Sequence, residues 1–60
     1  MDQIRIEQSR NGFSIILDHL GSTQEMDTRR EYLDAEQYAL YLAHRLCLDV
    51  YYLGKKVSSS

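Results

Sequence analysis

The stretch DAEQYALYLAHRLCLD, residues 34–49, decides how the chain folds. Its apolar residues recur at helical spacing. At about 100° per residue, Ala35, Ala39, Leu42 and Leu46 fall on one stripe, with Tyr38 and Ala43 flanking it. Start signals cluster just ahead of it. Asp34 is a favoured N-cap residue, Gln37 stands three residues on in a capping-box-like arrangement, and Leu33 and Tyr38 are spaced as a hydrophobic staple. Glu36 adds negative charge to the first turn, where the helix dipole favours it. A helix is therefore predicted from about Ala35 to Leu48. Alanines alternating with leucines on its stripe suit close packing against a sheet.

The far side of this helix is also partly apolar. Leu40 and Cys47 fall away from the stripe, and Tyr41 and Leu48 lie near His44 and Gln37 on the remaining arc. Single exposed leucines are common and prove nothing. A helix that is apolar on a second side is usually covered by something, however. Leu40, Tyr41, His44 and Leu48 are thus the candidate protein interface, set against the plainer alternative that they sit in water or under a C-terminal strand.

Outward from the helix, the N-terminal stretch alternates. From Gln3 to Ser9, Ile4 and Ile6 point one way and Arg5 and Glu7 the other, the period of a half-buried strand. Asn11-Gly12 is the preferred pair for a type I′ turn, and Phe13 to Leu20 reads as the returning strand. With Asn11 and Gly12 as the loop, Ile6 lies opposite Leu17, Ile4 opposite His19, and Arg5 opposite Asp18 as a cross-strand charge pair. Leu20 to Thr23 offers a second turn. Residues 23–30 then read as a third strand with Met26 and Thr28 turned inward, which a hairpin needs for stability. Val50 to Leu53 reads as a short final strand stopped by Gly54, and the polar end KKVSSS is expected to fray over residues 58–60. The predicted fold class is α+β: a small antiparallel sheet, one helix packed on it, and a short C-terminal strand, forming a single domain over residues 1–57.

Size bounds the function. A chain of 60 residues buries only about 60% of the surface its unfolded form exposes, so it benefits from a disulfide, a metal or association. Cys47 is the single cysteine, which rules out an intramolecular disulfide. Nothing in the polar N-terminus resembles a secretory leader, and no apolar run reaches the roughly 20 residues of a membrane span. A cytoplasmic, reducing setting is expected. Five tyrosines in so short a chain favour an interface, where a contact surface with a polar tip is useful.

Catalysis and metal binding find little support. His19, His44 and Cys47 are too few for a structural zinc site of four Cys and His ligands. A Cys47–His44 pair would place its thiol late on a helix, away from the N-terminus that lowers a thiol pKa. Little room is expected for a ligand cavity of a few hundred cubic ångströms. No cofactor and no small-molecule substrate are therefore expected.

Nucleic-acid binding is the rival reading. Arg5 and Arg10 on the hairpin, with Arg29 and Arg30 on the third strand, are the candidate phosphate contacts, and strands followed by one helix resemble, in topology alone, the arm-binding domains of phage-type integrases. That resemblance implies a sheet laid in the major groove. The interleaved carboxylates Glu7, Asp18, Glu25, Asp27 and Glu31, a net charge of −2 and a pI near 5.5 weigh against it. The favoured expectation is a non-enzymatic interaction module. By analogy of size and charge it is an accessory or inhibitor protein of bacterial or phage type, which binds a partner protein or forms a homodimer.

Overall fold

The structure is a computed structural model describing residues 2–57; the end at 58–60, expected to fray, lies outside the described residues. The N-terminal alternation forms β1, Gln3–Ser9, and β2, Gly12–His19, paired antiparallel. Their register differs from the predicted one. Ser9 pairs with Gly12, so the two-residue loop is Arg10-Asn11, and Ile4 faces Leu17 while Ile6 faces Ile15. Neither loop residue takes positive φ; Gly12 does, at 140°, so the turn is not type I′. The shift is two residues in register, which preserves side-chain parity. Every apolar residue therefore keeps its expected face.

β3, Ser22–Arg29, adds antiparallel to β2, so residues 23–30 do supply the third strand apart from Arg30. A bulge opposite Ile15 and Ile16 leaves Met26 without a partner and turns it half-buried toward the core. The bulge reverses the parity beyond it. Thr28, predicted to face inward, therefore stands exposed opposite Ser14 on the other face.

The type I′ geometry occurs elsewhere. Leu20 and Gly21 take φ of 52° and 81° between the paired residues His19 and Ser22. Leu53 and Gly54 take 53° and 78° between Tyr52 and Lys55. Leucine is unfavoured at positive φ, where Asn is the usual choice. Leu20 and Leu53 are also 82% and 76% exposed, so they gain little packing in return. Leu20→Asn and Leu53→Asn are each expected to stabilise the domain by about 0.5–1 kcal/mol, read as a raised urea midpoint at constant slope. An unchanged or lowered midpoint in both would contradict the turn assignment.

The helix α1, Tyr32–Leu46, begins earlier than predicted. Its N-cap is Glu31, in extended conformation with no side-chain cap, so Asp34 lies inside the first turn. Tertiary packing sets the start. Tyr32 meets Phe13 edge-on at 5.6 Å and Tyr52 at 4.7 Å between ring centroids, and donates its hydroxyl to Glu36 at 3.0 Å. Burial and the Glu36 carboxylate push the Tyr32 phenol up to about 12. With the start moved, Leu33 is inside the helix and 67% exposed, so it no longer stands at the position that precedes the cap in a staple. Cys47 closes the helix in the left-handed region at φ 59°, and the Leu48 N–H reaches the Ala43 carbonyl at 2.9 Å, a Schellman-type ending.

From there β4, Val50–Tyr52, pairs parallel to β1, and β5, Lys55–Lys56, returns antiparallel at the edge. The sheet is five-stranded and mixed, in the order β3-β2-β1-β4-β5, with α1 as the crossover on one face. The fold class is thus α+β as expected, with β5 added. The core is Ile4, Ile6, Ile15 and Val50 from the sheet under Ala35, Ala39 and Ala43 from the helix. Each large side chain fully buried there contributes about 1.5–3 kcal/mol. The alanines let the helix sit close. Ala43, predicted only to flank the stripe, is buried on it, and Leu46, predicted to lie on it, is 47% exposed near the helix end.

Candidate protein-binding surface

The surface of α1 opposite the alanines carries Leu33, Asp34, Gln37, Tyr41, His44 and Arg45, all exposed. These residues follow from helical spacing: they cluster about 180° from the centre of the buried stripe. Tyr41 is 56% exposed at the middle. Arg45 folds back over it, with its guanidinium carbon 5.6 Å from the ring centroid and Nη1 donating to the Tyr41 hydroxyl at 3.4 Å.

Of the four residues read from the sequence, Tyr41 and His44 lie on this stripe. Leu40 is half-buried against the core, one flank round. Leu48 lies beyond the helix, also packed on the core, and lines a small end cavity of about 200 Å³ with Asp2, Leu17, His19 and Leu46. Leu33, Asp34 and Arg45 are the members that sequence reasoning misses, although the spacing 33, 37, 41, 45 marks one face.

The sheet face away from the helix carries a row across all five strands: Glu25, Ile16, Arg5, Tyr51 and Lys56. Arg5 reaches diagonally to Asp18, with Nε at 2.7 Å and Nη2 at 3.2 Å from its two oxygens, and also contacts Glu7. Asp18 further accepts from Gln3 at 3.0 Å and from the Thr23 hydroxyl at 3.0 Å. The Gln3 and Arg5 hydrogen bonds hold the Asp18 carboxyl below its ordinary value, and Asp18 raises the Arg5 guanidinium. A carboxyl lowered on folding adds stability that is present above its unfolded pKa and lost as pH falls through the range below about 4. Asp18→Asn is therefore expected to lose stability at pH 7 and to show a shallower decline between pH 5 and pH 2 than the native chain. Equal acid slopes would contradict this network.

Beside β1, where β4 turns away, a surface groove of about 690 Å³ runs past Arg5, Glu7, Gln8, Tyr51 and Leu53. The chain thus holds a concavity of ligand size, contrary to the expectation from its length. The groove forms because β4 is only three residues long beside the seven of β1.

The four arginines of the nucleic-acid reading divide into two pairs. Arg5 is engaged as described. Arg29 bridges Asp27 at 2.9 Å and lies 5.0 Å from the Tyr38 ring centroid. Arg10 and Arg30 are exposed near one end of the sheet, and neither forms an ion pair among the described residues.

No group of three or more His, Cys, Asp or Glu residues suited to a metal occurs among the described residues. Cys47 is exposed at the helix end. His19 Nδ1 lies 2.6 Å from Asp2, whose other oxygen accepts the Leu20 N–H at 3.1 Å. These contacts, the Leu20 N–H foremost, hold the Asp2 carboxyl low. The pair ties the N-terminus to the β2–β3 turn. No hydroxyl or thiol is hydrogen-bonded to His19 among the described residues, so no nucleophile is placed there.

No helix of the structure is long and apolar enough to cross a membrane. Comparison with protein-family models, with curated proteins and with solved structures finds no match. The topological resemblance to integrase arm-binding domains therefore gains no support from a matching structure.

Proposed function

We propose that this protein is a non-catalytic interaction module that engages another protein chain through the outer stripe of α1, centred on Tyr41 with Leu33 and His44. The observation that carries the reading is the pair of large side chains there, Leu33 at 67% and Tyr41 at 56% exposure, on a rigid helix whose opposite face is fully used by the sheet. Aromatic anchors beside an arginine are the residue types that dominate protein interfaces. Leu40 supports the stripe from its half-buried flank. A small accessory or inhibitor protein working in a reducing compartment such as the cytoplasm fits the single cysteine, which is free.

The nucleic-acid reading keeps Arg10 and Arg30 but loses force where Arg5 and Arg29 are neutralised by Asp18, Glu7 and Asp27. The test compares the native chain with a Leu33→Glu, Tyr41→Glu variant, each as bait in extract of its source cells. A protein retained by the first and lost by the second, with the variant's circular dichroism intact, supports the reading. A protein held equally by both, or duplex DNA binding that falls steeply with salt, overturns it.

A further inference from the structure

Resting on that reading, we propose that the chain seated on the α1 stripe is a second copy of this protein, its helix antiparallel to the first across a two-fold axis. The stripe is self-complementary in charge. The first turn of the stripe carries Asp34, and the last turn carries His44 and Arg45. Neither Asp34 nor Arg45 forms an ion pair within the described residues. They stand eleven residues apart, roughly 16 Å along the axis.

A two-fold axis through the helix midpoint reverses one copy against the other. Asp34 of each copy then meets Arg45 of the other, twice, at the two ends of the contact. Tyr41, within about one turn of the axis, meets its own counterpart, and its ring is already oriented by Arg45. Leu33, on the other flank of the stripe, falls beside His44 of the other copy. The helix dipoles oppose, which is also favourable. A parallel arrangement would set Asp34 against Asp34 and Arg45 against Arg45. The helix dipole alone favours acid at the start and base at the end, so placement within one helix is not enough, and the decisive test is pairing between variants.

Asp34→Lys and Arg45→Glu are made separately, with circular dichroism confirming that each is folded. Sedimentation equilibrium then follows each variant alone and an equimolar mixture. Each variant alone is expected to associate about tenfold or more weakly than the native chain, because both end contacts become repulsive. The mixture is expected to recover native affinity. In a mixed pair the lysine introduced in one copy faces the glutamate introduced in the other, and the unaltered Arg45 and Asp34 still pair at the far end. Variants that associate as tightly as the native chain, or a mixture no tighter than its components, would overturn the antiparallel pairing. A native chain that never self-associates would overturn the second copy. The broader reading would then stand or fall on whether the Leu33→Glu, Tyr41→Glu variant loses a protein partner, so the two failures are distinguishable.

Discussion

Replacing Gly12 with valine is expected to unfold most of the domain at room temperature. A Cβ built at Gly12 would lie 2.2 Å from the Arg29 carbonyl oxygen and 2.9 Å from the Arg30 Cα, both backbone atoms that cannot rotate away. The φ of 140° at this position is itself open to few residues other than glycine. Backbone strain of about 1–3 kcal/mol adds to an overpacking cost of similar size. A 60-residue domain has roughly 3–9 kcal/mol to lose. Gly21→Ala is the control: its φ is also positive, at 81°, yet no heavy atom lies within 4 Å of the new Cβ. It is expected to cost about 1 kcal/mol, the conformational part alone. Thermal melts by circular dichroism decide. A Gly12→Val melt within a few degrees of the Gly21→Ala melt would contradict the close approach of β3 to the first turn.

The second large effect concerns two neighbouring isoleucines. Ile15 is fully buried under the helix, while Ile16 is 9% exposed on the opposite sheet face beside Arg5 and Glu25. Ile15→Ala leaves a cavity among Ile4, Ile6 and Ala39, where backbone on two layers cannot collapse, and is expected to cost about 3–5 kcal/mol. Ile16→Ala removes the same atoms, but flexible charged side chains can close over the gap. A cost of about 1–2 kcal/mol is expected there. Denaturant midpoints at pH 7 measure both. Equal losses would mean that the outer face is covered as firmly as the core, and would contradict a sheet packed on one side only.

The paired strands are legible in the sequence because period-two alternation fixes faces, and an error of two in register leaves faces untouched. The turn between them is not. Asn-Gly carries the strongest signal for positive φ at both positions, but here Gly12 is kept for the close approach of Arg29, which no local pattern encodes. A turn is legible at Leu20 to Thr23, but its type I′ geometry, like that at Leu53-Gly54, is masked by leucines that disfavour the conformation. β5 is invisible because two lysines carry no periodicity. The helix is legible from its stripe, but its start is displaced by the Phe13–Tyr32–Tyr52 ring cluster, a contact between residues far apart in the chain. That displacement adds Leu33 to the candidate surface, whose other members follow from helical spacing. Tyr41 and His44 stay on the outer stripe, Leu33 joins it, and Leu40 and Leu48 turn partly into the core.

The most direct measurement of the central claim is solution mass by light scattering across a dilution series, for the native chain and for Tyr41→Glu. The native chain is expected to approach twice its 7.0 kDa at high concentration and to fall toward 7.0 kDa on dilution, with the Tyr41→Glu variant folded but monomeric throughout. A native monomer up to roughly millimolar concentration, or a dimer that Tyr41→Glu leaves intact, would contradict self-association through the outer stripe of α1.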